Sequence, residues 1–233
     1  MAHLKRLAAP RTWKLERKTK KWGIKVSPGP HTVQNSISLL SILRDYLGYA
    51  TKAKEARYII KNGQIYVDSI PRKDYKFPCG FMDVVSIPKT NENFRILLDA
   101  HGFLRVIPIP KENAAWKLCR IENKTIITGG KTQLNLHDGR NIIDTGDYAT
   151  GDVLKISLPN HEILESIQLT KGNLAMIIGG KHIGEIAEIQ EIEKTHSPSP
   201  NLVHLKEFST IKPHVFPIGK NKPEIKIPTE NIL

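Results

Sequence analysis

The sequence predicts an α+β chain: a small module of two helices and a β-hairpin, followed by strand-rich segments. Three observations predict it. Apolar residues recur at helical spacing in two runs, Ile37 to Leu47 and Thr51 to Lys61. Asn62-Gly63 breaks the second run, and Gln64-Ile-Tyr-Val67 follows as a short strand. Beyond residue 90 the apolar runs have strand length and are bounded by Gly, Pro, Asn and Asp.

Residues 1–35 form a basic N-terminal arm. Before Thr32 stand nine Lys or Arg and one acid, Glu16, a surplus of eight within a chain of 233 residues and net charge +12. A basic extension on a nearly balanced body is the pattern of a nucleic-acid-binding arm. Trp13 and Trp22 sit among the cations, where an unbound tail would gain nothing from indoles; stacking on bases would use both. Lys5, Arg6, Arg11, Lys14, Arg17, Lys18, Lys20 and Lys21 are the candidate RNA contacts here. Pro28, Gly29 and Pro30 mark the arm's end.

Residues 36–90 form the two-helix module. Leu39, Leu40, Leu43, Tyr46 and Leu47 share one face of the first helix. Thr51 is positioned to cap the second, with Glu55 in its first turn. Ala53, Ala56, Ile59 and Ile60 point inward, and Lys54, Arg57 and Lys61 fall on an adjoining stripe about 60° wide. That stripe suits a nucleic-acid backbone.

Residues 91–168 are β-rich, with strands expected at Arg95–Leu98, Leu104–Ile109 and Val153–Leu158 and turns at Thr128-Gly-Gly-Lys131 and Asp138-Gly139. This region is expected to act as a rigid spacer. In residues 169–233, two apolar runs flank Gly179-Gly180. Ile183, Ile186, Ile189 and Ile192 also fit a helix, but the glycines and β-branched residues favour a hairpin. From Ser197 the prolines predict an irregular tail.

Several function classes lose support. The hydrophobic content of 39% with 6% aromatic residues suits small cores shared between modules better than one enzyme core. Cys79 and Cys119 form no CxxC, so no zinc ribbon is expected, and their scarcity suggests a reducing, intracellular compartment. The histidines form no metal-binding pair, and no metal or cofactor is expected. No apolar run reaches the roughly 18–20 residues of a spanning helix, and no secretory signal is present; no membrane partner is expected. Gly129-Gly-Lys-Thr132 resembles the end of a phosphate loop, but the glycine needed five residues before Gly130 is Thr125, so a turn is expected. Gly139-Arg-Asn-Ile-Ile-Asp144 is faintly similar to the motif of pseudouridine synthases. Their Asp lies two residues after the Arg, where this chain has Ile142, which re-aims any carboxylate.

Longer motifs point to one family. They are His3-Leu-Lys-Arg-Leu-Ala-Ala-Pro10 with Trp13, Pro28-Gly-Pro-His31, Leu43-Arg-Asp-Tyr-Leu47, Pro78-Cys-Gly-Phe-Met-Asp-Val-Val-Ser-Ile87, Lys117-Leu-Cys-Arg-Ile-Glu-Asn-Lys-Thr125 and Gly130-Lys-Thr-Gln-Leu-Asn-Leu-His-Asp-Gly-Arg-Asn141. In them the chain resembles the small-subunit ribosomal protein four family of the archaeal and eukaryotic type, with an archaeal length. Leu174 to Ile189 is similar to a KOW motif with Gly184 at its characteristic glycine. The resemblance implies a C-terminal SH3-like small β-barrel. It implies a non-enzymatic structural constituent of the small ribosomal subunit, cytoplasmic, binding 16S-type rRNA beside neighbouring small-subunit proteins, with no small-molecule substrate. It adds Arg44 of the module and Lys181 and His182 of the KOW loop to the RNA-binding candidates. A free RNA-binding factor in translation or RNA quality control is the alternative. One departure stands out: Val67-Asp68-Ser69 replaces the family's Val-Asp-Gly, so this turn is expected to differ in geometry.

Overall fold

The structure is a computed structural model that describes residues 3–195 and 197–225. Its contacts divide the chain into two compact units. The first holds the chain up to Leu97, Phe103–Lys117 and Leu158–Asn160; the second holds Leu98–Gly102, Leu118–Ser157 and the chain from His161.

In the first unit, strand Ser36–Ser38 pairs antiparallel with Pro78–Gly80, placing Ile37 opposite Cys79. The first helix therefore begins at Leu39 and not at Ile37. Ser38 fixes this start: its Oγ accepts from the Ser41 N–H at 3.3 Å. The amides of Leu39 and Leu40 are taken by the carbonyls of Phe77 and Tyr75. One α-turn, Leu39–Ser41, passes into a wider π-turn, Ile42–Tyr46, closed by Leu47 N–H to Ile42 O at 2.9 Å. The pairing with Pro78–Gly80 and the bonds to Phe77 and Tyr75 are tertiary, so the apolar spacing could not reveal this later start.

The second helix, Ala53–Lys61, buries Ala56 and Ile60. Its cap comes from Glu55 and not from a Thr51 acceptor. The Glu55 carboxylate takes the amide of Lys52, the amide of Thr51 and the Thr51 hydroxyl, each at 3.1 Å. These bonds, led by the one from Lys52, hold its carboxyl below the usual range. Gly63, at φ +68°, ends the helix.

Strands Tyr66–Val67 and Ile70–Pro71 form the tight hairpin. Its two turn residues, Asp68 at φ +50° and Ser69 at φ +63°, are both left-handed. Ser69 thus adopts the conformation that glycine would favour, and the turn keeps a glycine-type backbone at some strain. Ser69→Gly should therefore raise stability by about 0.5–1 kcal/mol, the αL relief less the entropy that glycine adds to the unfolded chain. An unchanged or lowered midpoint in urea unfolding would contradict the strain.

The hairpin continues into a five-stranded sheet ordered Ile70–Pro71, Tyr66–Val67, Val84–Ile87, Glu92–Leu98, Leu104–Ile109. Under it Lys117 is fully buried, with Nζ 2.8 Å from Asp68 and 3.0 Å from Asp83. Asp83 also meets His31 Nε2 at 3.0 Å. The N-terminal segment belongs to this unit's interior. Trp13 is 1% exposed, its indole N–H donates to Ser36 O at 2.5 Å, and the adjacent Thr12 carbonyl takes the amide of Leu104. The expectation of an indole free to stack on bases is corrected for Trp13.

The second unit carries one five-stranded sheet ordered Asn141–Asp144, Thr132–Leu136, Trp116–Ile126, Val153–Ser157, Ile163–Ile167, over a core of Cys119, Ile121, Leu134, Leu136, Leu154 and Ile156. The two N-terminal residues of its central strand, Trp116 and Lys117, lie in the first unit. Another sheet is ordered Ser209–Ile211, Leu202–Leu205, Ile186–Glu193, Leu174–Ile177, Val215–Gly219. Ile186–Glu193 is a strand, so the helical spacing of its isoleucines was incidental. The tail read as irregular from Ser197 supplies three strands of this sheet. Its Pro217 is tolerated because Val215–Gly219 is an edge strand. Residues 226–233 of that tail lie outside the described residues.

Candidate nucleic-acid interface

The sequence singled out the cations; the structure sorts them. Lys5, Arg11, Lys14, Lys18, Lys20 and Lys21 are exposed. Three arginines are bonded within the protein, Arg6 buried and Arg17 and Arg44 half-buried. Arg6 is 4% exposed, ion-paired to Asp45 at 3.0 Å, and donates to Glu16 O and Thr19 Oγ1. Arg44 grips the same Asp45 through Nε at 3.1 Å and a terminal nitrogen at 2.8 Å. Arg17 donates to the carbonyls of Ala9 and Pro10, both at 2.7 Å. Of these, Arg6 ties the N-terminal segment to the helical module through Asp45, while Arg17 bonds within the segment and Arg44 within the module. The segment is anchored by Arg6 to Asp45 and by Trp13 to Ser36.

Trp22, unlike Trp13, is open to solvent. It is 51% exposed, with Lys21 Nζ 5.2 Å from its ring and His3 beside it at 5.7 Å. An exposed indole with a lysine over its ring can meet bases or ribose.

Lys54, Arg57 and Lys61 all reach solvent from the helix Ala53–Lys61. Seven residues separate the outer two, about 10 Å along the axis. Glu55 is the only acid in this helix, and its carboxylate is turned back to the N-terminus, so it does not neutralise the stripe. Arg57 lies 4.4 Å over the Tyr75 ring, which also carries Lys76 at 5.6 Å. The sequence reading missed two aromatic residues here, Tyr58 and Tyr75. Tyr58 had a legible signal, its position four residues after Lys54 on the same helix side.

In the second unit, the loop between Leu174–Ile177 and Ile186–Glu193 presents Lys181 to solvent. His182 is half-buried instead. Its ring stacks on Phe208 at 4.0 Å and 11°, and Nδ1 meets Glu185 at 3.0 Å. Gly184 shapes the loop: at φ +83° a Cβ there would collide with the Asp99 carbonyl.

The remaining motifs have structural places. Gly129 and Gly130, at φ +86° and +72°, lie at the turn between Trp116–Ile126 and Thr132–Leu136, with no helix after them. Asp144 ends an edge strand and accepts from the Tyr148 hydroxyl at 2.8 Å. Among the described residues no three His, Cys, Asp or Glu are placed to hold a metal ion, and no helix is long and apolar enough to cross a membrane.

Comparison with known proteins follows the same lines. The model of the ribosomal family S4e matches residues 90–163, and that of the RS4NT (NUC023) domain matches residues 2–34. The small ribosomal subunit protein eS4 of Methanothermobacter thermautotrophicus is 50% identical over 231 residues, covering 97% of this chain and 96% of that protein. The chain belongs to the S4e family of ribosomal proteins. A second eS4, from Methanosphaera stadtmanae, is 46% identical over 98% of this chain and 97% of its own length. The crystal structure of the 30S ribosomal protein S4e from Thermoplasma acidophilum matches with a TM-score of 0.71 at 41% identity, over 80% of this chain and 96% of that one. In this S4e chain, the segment matched by the RS4NT model is the one that Arg6 and Trp13 tie to Asp45 and Ser36.

Proposed function

We propose that the chain is a structural constituent of the small ribosomal subunit that holds 16S-type rRNA mainly by its phosphates. Family membership supports the subunit assignment, and with it a cytoplasmic place among other small-subunit proteins. The observation that carries the rRNA reading is the unopposed stripe of Lys54, Arg57 and Lys61, whose helix has its one acid turned away. Exposed Lys5, Arg11, Lys14, Lys18, Lys20 and Lys21, with Trp22, extend the cationic surface of the first unit. Arg6, Arg17 and Arg44 position this surface and do not themselves bind. Phosphate contacts of this kind supply affinity and register with little sequence information.

In the second unit the proposal is a KOW-type small barrel built on the sheet that includes Leu174–Ile177 and Ile186–Glu193. Lys181 makes its RNA contact, and His182 is the residue that braces the loop through Phe208 and Glu185.

Sedimentation tests the assignment. The tagged chain should travel with small subunits through a gradient at moderate salt. A chain that washes off at that salt would instead be a free RNA-binding factor.

A further inference from the structure

We propose that Tyr58 is a stacking site for one unpaired rRNA nucleotide, set at the Lys54 edge of the cation stripe so that the base meets the ring and a flanking phosphate meets Lys54 and Lys61. This rests on the rRNA-binding reading above and names the kind of RNA that the site takes.

Tyr58 is 69% exposed on the helix Ala53–Lys61. The helix needs no tyrosine for its own packing, since its buried residues are Ala56 and Ile60. At roughly 100° per residue, Tyr58 falls about 40° from Lys54, about 60° from Lys61 and about 100° from Arg57, so it borders the stripe on its Lys54 side. A large ring is thus left in water beside Lys54 and Lys61, and the one carboxylate of the helix, Glu55, is bonded back to the N-terminal amides.

The charge chooses the occupant. Lysine is depleted from protein–protein interfaces, so a ring flanked by Lys54 and Lys61 suits an anionic strand better than a protein partner. An RNA strand offers a π-face for the ring and a flanking phosphate for the cations. The base must be unstacked, because a continuous A-form helix shows its grooves and phosphates but no base faces. Arg57, at the far edge of the stripe, lies 4.4 Å over the Tyr75 ring, which leaves Lys54 and Lys61 as the cations nearest the proposed site.

The test uses full-length chain and a naked 16S-type rRNA transcript, with affinity measured across a salt series. Tyr58→Ala should weaken binding about 5- to 100-fold, while Tyr58→Phe and Tyr58→Trp bind as the parent does. The salt slope of Tyr58→Ala should match the parent, because no phosphate contact is lost. Unchanged affinity of Tyr58→Ala beside a weakened Lys54→Glu, Arg57→Glu, Lys61→Glu triple variant would overturn the stacking site and leave the rRNA reading standing. Unchanged affinity in both would overturn both. A Tyr58→Ala chain that binds naked transcript normally but fails to enter subunits would assign the ring to a protein neighbour and overturn the proposal.

Discussion

Lys117→Met should cost about 3–5 kcal/mol, enough to threaten the first unit outright. The side chain is fully buried between Asp68 at 2.8 Å and Asp83 at 3.0 Å. Methionine would fill most of the volume but leave two carboxylates facing each other in the interior. Burial by itself would raise the Asp83 carboxyl, but His31 and then Lys117 outweigh it and hold the group well below the usual range. The linkage has a definite sign. A carboxyl depressed by folding stabilises the native state above its unfolded value, near 4, and that support is lost as pH falls through the folded value. The parent should therefore lose stability as the solution is acidified below about 4. Urea titrations of parent and Lys117→Met check the size, and adding Asp68→Asn to the variant should recover part of the loss. A Lys117→Met chain as stable as the parent would mean that the network is not what holds the sheet.

Trp13→Ala should cost about 3–5 kcal/mol, the usual range for removing a buried large aromatic. It removes the indole packed at 1% exposure and the bond to Ser36 O, and with them the anchor of the N-terminal segment. The comparison is Trp22→Ala, an exposed indole whose loss should stay within about 0.5 kcal/mol. Thermal melts of the two variants separate the roles: similar melting temperatures would contradict a core Trp13.

The contrast between these tryptophans shows what the sequence could and could not reveal. Strand runs such as Leu104–Ile109 and the helix Ala53–Lys61 were legible because period and punctuation are local. The stripe of Lys54, Arg57 and Lys61 was legible for the same reason. Trp13 was not, because its partner Ser36 lies 23 residues on. Arg6 looked like one more phosphate cation, and only Asp45, 39 residues away, takes it out of the surface. Lys117 gave no sign of burial, since Asp68 and Asp83 are 49 and 34 residues distant. The strand at Ile37 depends on Cys79 in the same way. Lysine and arginine counts bound the partner class, while tertiary ion pairs decide which cations are left to meet it.

The most direct test of the account is the salt dependence of rRNA binding by the Lys54→Glu, Arg57→Glu, Lys61→Glu variant. Its fold should be retained, because all three side chains are exposed. Its slope of log affinity against log salt should flatten by about 2 to 3 relative to the parent, with weaker binding at low salt. A slope and affinity equal to the parent's would show an ordinary solvated helix face and contradict the account.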